Sequence, residues 1–313
     1  MRMCCSLAAL LIAGFLLVRA DASAPQDRPT FKAESELVVL HVSVRDRGGR
    51  YVTGLEKDNF TVIDDGKPQT IQMFSGDDVP ASIGLLIDNS NSMRPSRERV
   101  VASAVEFVRH SHPRDEIFVL TFNDRVRQPW GPAVTGEMDL ERFRSSMAQA
   151  IVAYGMTAVY DAVIEGLRRI GEGALTRQVL IVISDGDDNG STTTREEVLK
   201  QVGESDTMIY TVVLTDPLTR DGDPRFLRRL AQATGGETHA PRRVDDVPAA
   251  FERISRDIRS AYTLAYVPAH HGAEDGERHR RAVQVYVRAK DGRVLSVRAR
   301  DGYYERHKEP GQR

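Results

Sequence analysis

Cysteine is nearly absent. The 313-residue chain holds two, Cys4 and Cys5, side by side near its N-terminus. The rest of the sequence therefore has no disulfide framework and no thiol chemistry. Net charge is small too, at −2. That balance argues against a general binder of nucleic acid or anionic membranes and leaves room for a local patch. Tryptophan occurs once, at Trp130, in what reads as a sheet-edge hairpin, where packing accounts for it. Catalytic signatures are missing: there is no G-x-S-x-G elbow, no Gly-rich phosphate loop ending in Lys-Ser or Lys-Thr, and no H-E-x-x-H pair. His110 and His112 flank a helix end, and no histidine stands in a loop comparable to that of a hydrolase triad. These absences argue against an enzyme.

The one long apolar run is N-terminal. Residues 1–5 are short and basic, residues 7–18 are apolar over roughly a dozen positions, and Ala20, Ala22 and Ala24 follow. The run is too short to span a bilayer comfortably, and the pattern is that of a secretory signal peptide. Cleavage is expected after Ala22, since cleavage after Ala24 leaves Pro25 first. An uncleaved anchor is the alternative. Cys4 and Cys5 lack a lipoprotein-type context. The mature chain is expected to be exported, periplasmic or extracellular, with no direct membrane span.

Residues 23–30 are polar, with Pro25 and Pro29, and read as a linker. From 31 to 75, period-2 runs separated by turns every roughly 8–12 residues suggest part of a β-sandwich. From 83 to 260, strands alternate with amphipathic helices. Strands at 83–87, 116–122, 179–183 and 208–214 and helices at 96–110, 138–150, 158–170, 195–204, 224–234 and 247–259 predict an α/β fold with a doubly wound, mostly parallel sheet. A β pattern returns at 261–267, 282–287 and 294–298. A flank of about fifty residues buries too little surface to stand alone. Both flanks are therefore expected to join in one sandwich, with the α/β domain inserted between them. The expected division is signal peptide 1–22, linker 23–30, first sandwich part 31–78, α/β domain 80–260, second sandwich part 261–305 and polar tail 306–313.

The candidate site lies at strand ends. Asp88-Asn89-Ser90-Asn91-Ser92 follows the apolar run 83–87 and sets one carboxylate and two hydroxyls at alternate positions. They fall just beyond the carboxyl end of a buried strand, where open α/β sheets bind ligands. Tyr154-Gly155-Met156-Thr157 sets a threonine between a glycine turn and a helix start. The run 179–183 ends in Ser184-Asp185-Gly186. Asp88, Ser90, Ser92, Thr157 and Asp185 offer hard oxygen ligands, which favour Mg²⁺, Ca²⁺ or Mn²⁺ over zinc. Asn123-Asp124 end a strand on the same side, as rim residues. Asp115 and Glu116 precede a strand at the opposite end. His239, near Gly235-Gly236, is read as a surface packing residue.

In this order, at intervals of roughly 65 and roughly 30 residues, the set resembles the metal-ion-dependent adhesion site (MIDAS) of von Willebrand factor type A domains. Asn91 departs from that family's usual glycine between the serines, but asparagine tolerates left-handed backbone angles. Val44 to Leu55, Asp58-Asn59-Phe60 and Asp65 to Gln69, with the tail at Tyr262 to Pro268 and Arg300 to Tyr304, resemble a bacterial secreted group of von Willebrand A-related proteins. The resemblance implies a Rossmann-like domain holding Mg²⁺, with Mn²⁺ or Ca²⁺ possible. Ser90, Ser92 and Thr157 would ligate directly, with Asp88 and Asp185 acting mainly through water. One coordination position would stay open for an Asp or Glu of a partner protein. The alternative is a scaffold or assembly component that binds through other surfaces, its metal only structural. A partner could also be a second copy offering Glu274-Asp275. Finally, Asp185 to Glu196 fits an EF-hand calcium loop in ligand pattern, although it follows a strand.

Overall fold

The structure is a computed structural model that describes residues 37–76, 78–214, 223–268 and 280–304. The expected signal peptide, linker, Glu274-Asp275 segment and polar tail lie outside the described residues. The N-terminal flank comprises β1 (Val38–Arg45), β2 (Phe60–Asp64), β3 (Lys67–Gln69) and β4 (Ile71–Ser75). The alternating region follows: β5 (Ala81–Asp88), α1 (Arg97–Arg109), β6 (Glu116–Phe122), β7 (Val126–Val134), α2 (Leu140–Ala150), α3 (Val159–Gly171), β8 (Arg177–Ser184), α4 (Arg195–Glu204), β9 (Met208–Val213), α5 (Pro224–Thr234), β10 (Thr238–His239) and α6 (Val247–Ser260). The chain then supplies β11 (Tyr262–Tyr266), β12 (Arg280–Val287), β13 (Ser296–Arg298) and β14 (Gly302–Tyr304).

The central sheet runs β10-β9-β8-β5-β6-β7, parallel except for the edge strand β7. Every residue of β5 is buried, as a strand covered on both faces requires. Ile83, Leu85 and Ile87 pack into a core with Val100, Phe107, Phe143 and Ile254. Leu86 packs on the other face with Val163, Val202 and Leu230. Gly84 sits where neighbours already fill the space: a Cβ there would lie 2.5 Å from Phe118 and 2.6 Å from Leu180. Trp130 packs edge-on against Phe143, ring centroids 5.2 Å apart, in the edge hairpin expected for it.

The flanks meet strand by strand. One antiparallel sheet is ordered β13-β1-β11-β4 and the other β14-β12-β2-β3, so each mixes strands from both sides of the insert. Leu40, Val42, Val62, Leu264 and Val283 form their shared core. β14 carries too few residues for a period-2 signal and went unread in the sequence.

Buried polar groups bind the sandwich to the α/β layer. Asp257 of α6, 1% exposed, accepts hydrogen bonds from Ser43 Oγ and Tyr210 OH, both at 2.7 Å, and pairs with Arg298. Arg177, at the start of β8, donates to the carbonyls of Gly76, Ile258 and Ala261 at 3.1, 2.9 and 2.6 Å. Charges buried this deeply persist only when paired or hydrogen-bonded. His41 in β1 stays neutral: burial, then the charges of Arg177 and Arg300, push its pKa down to about 3.

Removing the Asp257 carboxylate leaves the Tyr210 hydroxyl without its acceptor and takes one of two carboxylates from Arg298, which keeps Glu237 nearby. Asp257→Ala is expected to cost about 1–3 kcal/mol of folding stability, measured as a lower urea midpoint at unchanged slope.

Candidate metal centre

Asp88 closes β5, and Ser184 closes β8 beside it, because Ile87 and Ile183 are paired in parallel register. The Asp88 carboxylate has no solvent exposure. Its Oδ1 accepts from the Ser90 backbone N–H at 2.8 Å, and its Oδ2 accepts from Ser184 Oγ at 2.6 Å. Burial pushes its pKa up to about 7; the serine hydrogen bonds oppose that rise and the nearby Asp185 charge adds to it. Ser90 Oγ and Ser92 Oγ lie 2.9 Å apart, the first buried and the second exposed. These hydroxyls share the loop with the strand-end carboxylate and open toward solvent through Ser92.

Asn91 opens a short 3₁₀ turn over Asn91–Ser96 and does not have positive φ. Its expected left-handed tolerance is not used. The left-handed non-glycine residue of the site is instead Ala153, at φ 56°. This conformation costs an alanine roughly 1–2 kcal/mol, and Asn89 holds it there. The Ala153 N–H donates to Asn89 Oδ1 at 2.6 Å, and Asn89 Nδ2 donates to the Ala150 carbonyl at 3.1 Å. The backbone of Asn89 adds two more bonds, donating to Phe122 O at 2.7 Å and accepting from Tyr154 N–H at 2.9 Å. The sequence alone assigns Asn89 no role of its own. Its side chain is in fact a clasp between two loops, detectable beforehand only as a polar residue next to a buried strand end.

The second loop is held along its length. Asn123 Nδ2 donates to Tyr154 O at 3.2 Å, and Asp124 Oδ1 accepts from Met156 N–H at 3.0 Å. Gly155 has φ 82°, a left-handed conformation that favours glycine, and a Cβ on it would press against Asp124 Oδ2 at 2.3 Å. Asn123 and Asp124 thus hold the second loop through their side chains. Thr157 is buried, with its N–H donating to Asn189 Oδ1 at 2.8 Å. Among the described residues no hydrogen bond engages the Thr157 hydroxyl. Asp185 is buried at the end of the third loop's lead-in, and its Oδ1 accepts from Asp187 N–H at 3.2 Å.

Asp88, Ser90 and Ser92 are therefore linked directly. Asp185 acts on Asp88 through charge, and Thr157 is joined to the third loop through Asn189. Ser184 and Asn189 are partners that the sequence reading did not single out. The EF-hand pattern does not converge on one point. Asp188 Oδ1 accepts from Ser191 Oγ and Tyr160 N–H, Asn189 faces Thr157, and Thr194 with Glu197 forms a capping box at the start of α4. Among the described residues there is no group of three or more His, Cys, Asp or Glu able to hold a metal. A cation here would have to rely on the hydroxyls. Asp115 lies at the opposite end of the sheet, accepting from the N–H of Ala81 at 2.8 Å. His239 lies in β10, paired beside Val212 of β9.

A family model described as VWA domain containing CoxE-like protein matches residues 71–240, more than half of the chain. The chain belongs to this family of von Willebrand factor type A (VWA) domain proteins. Solved structures agree in fold. A von Willebrand factor type A protein from Catenulispora acidiphila superposes with a TM-score of 0.52 at 11% identity, over 88% of this chain and 74% of that one. Proximal thread matrix protein 1 of the mussel byssus, in a structure with a zinc-occupied MIDAS motif, superposes with a TM-score of 0.50 at 16% identity, over 64% of this chain and 50% of that one. A comparison with curated proteins gave no match. VWA domains are generally interaction modules, and membership supports a protein-interaction role for this chain. No helix among the described residues is long and apolar enough to cross a membrane.

Two outcomes follow from the geometry of this VWA domain. Asn89→Ala leaves the Ala153 N–H and Ala150 carbonyl without their partners, at a cost of about 1–3 kcal/mol. Hydrogen exchange should speed up first in loop 151–157. The second concerns pH. Folding raises the Asp88 pKa from 3.8 to about 7, so the metal-free folded state holds more protons than the unfolded chain across that window. The stability Asp88 contributes is full below 3.8 and is lost as pH rises to about 7. Thermal melts in EDTA should show this fall, and Asp88→Asn should flatten it.

Proposed function

We propose that the chain is an exported protein that binds another protein through a divalent ion. The ion is held by Asp88, Ser90, Ser92, Thr157 and Asp185, and it accepts an Asp or Glu of the partner. Mg²⁺ is the first choice, with Mn²⁺ or Ca²⁺ as alternatives. The observation that carries this reading is the buried Asp88 carboxylate at a strand end, with two serine hydroxyls beside it on one loop. The set supplies oxygen only, with two carboxylates to balance a dication, as a small hard cation prefers. VWA membership and the zinc-occupied MIDAS of the mussel protein support it. When bound, the ion would supply a Lewis-acid position for a partner carboxylate. The hydroxyls would orient it, and the buried carboxylates would supply its counter-charge. The N-terminal segment supports export. The division at 80 and 260 would make the VWA domain an insert carried on the sandwich.

A second reading has one observation in its favour. Both oxygens of Asp88 already have hydrogen-bond donors from Ser90 and Ser184, so the loop closes with its own partners. A scaffold that binds through other surfaces, with any metal purely structural, would have this feature.

Titration calorimetry with Mg²⁺, Mn²⁺ and Ca²⁺ separates the cases. The expected result is one ion per chain, lost in Asp88→Ala, with affinity rising as pH approaches about 7, because the ion displaces the proton on Asp88. Binding unchanged in Asp88→Ala would overturn the assignment. Ser90→Ala should abolish partner binding under the first reading and leave it intact under the second.

A further inference from the structure

The described residues expose six large hydrophobic side chains, and three of them stand at alternate positions of one loop: Val152 (54%), Tyr154 (41%) and Met156 (50%). Their neighbours Ile151, Ala153 and Thr157 point inward and are buried. The display is not loose. Asn89, Asn123, Asp124 and Asn189 hold the backbone at Ala153, Tyr154, Met156 and Thr157. Fixing an exposed apolar row in this way removes ordering cost from binding, and Tyr and Met are enriched at interfaces. The row ends at Thr157, a residue of the candidate metal centre.

Charge on the adjoining surface is mixed: a cleft there is lined by Arg97, Arg99 and Arg144 and by Glu98 and Asp245, with Arg99 paired to Asp245. Arg94, Arg97 and Arg144 have no carboxylate partner among the described residues. Pro95 and Ala148 line the same cleft. Pro95 lies in the 3₁₀ turn that contains Ser92, and Ala148 lies in the last turn of α2, just before the loop. The cleft is thus lined by the segments that follow Ser92 and precede the loop in the chain.

We propose that the occupant of this face is a segment of a partner protein that pairs an acidic residue with large apolar neighbours. Its carboxylate goes to the metal, and its apolar side chains cover Val152, Tyr154 and Met156. This rests on the metal-directed reading above and adds the chemistry of the partner's flanking residues.

The test uses a random peptide library displayed on phage, panned on the Mg²⁺-loaded chain and eluted with EDTA. The eluted peptides should share an Asp or Glu adjoined by large apolar residues. The strongest, made synthetically, should bind about tenfold or more weakly to Tyr154→Ser/Met156→Ser and keep its affinity for Met156→Leu. The melting temperature and Mg²⁺ titration of the double variant should match the parent, which excludes misfolding. Acidic peptides with no apolar preference, or undiminished binding to the double variant, would overturn the apolar face and leave the metal reading standing. If EDTA elutes nothing beyond an Asp88→Ala control, both fall together. Loss of Mg²⁺ binding in the double variant would also overturn the inference, because the loop would then serve the ion instead of the partner.

Discussion

The Asp88 carboxylate is wholly buried at the end of the central strand, and much of the surrounding structure answers to it. A carboxyl group out of water must take a proton, a set of hydrogen-bond donors or a cation. Here the Ser90 N–H and the Ser184 hydroxyl supply donors, while Asp185 adds a second negative charge nearby. Those requirements pin the first loop to β8. Asn89 then pins the second loop to the first, and Asn189 ties the third loop back to Thr157. The strained backbone of Ala153 is retained within this network.

The two ends of the parallel sheet have different duties. At the amino end, Asp115 bonds the start of β5, and Arg177 bonds the carbonyls that connect to β4 and β11. That end is occupied by the chain's own sandwich. At the carboxyl end, the loops after β5 and β8 carry the oxygen-rich cluster, flanked by exposed Val152, Tyr154 and Met156. The carboxyl end is the side where α/β sheets generally bind ligands.

Much of the architecture was legible before any coordinates. The apolar runs ending at Ile87 and Ile183 and the helices that follow them have strong periodicity, and the observed elements match them closely. The joining of both flanks was legible for a different reason, namely that neither contains enough apolar surface for a core of its own. The roles of Asn89, Ser184 and Asn189 were not legible. Each is a short polar residue in a turn, and such residues are common in turns whatever they do. The apolar row at Val152, Tyr154 and Met156 was likewise hidden, because alternation in a loop does not reveal which face meets solvent.

The sequence by itself determined the alternation of strands and helices, because the period of apolar residues is a local property of a chain, and its strand-end motif carried the resemblance to the family. It also set which chemistry the strand ends can offer: oxygen, and almost no sulfur. Tertiary structure alone decided how those oxygens are used. Asp88 meets Ser184 across a parallel register, Asn89 meets Ala153 across two helices and two strands, and Asp257 meets Ser43 across the whole insert. Hydrogen bonds depend on distance and direction in space, and residues so far apart in the chain acquire both only when the sheet is assembled.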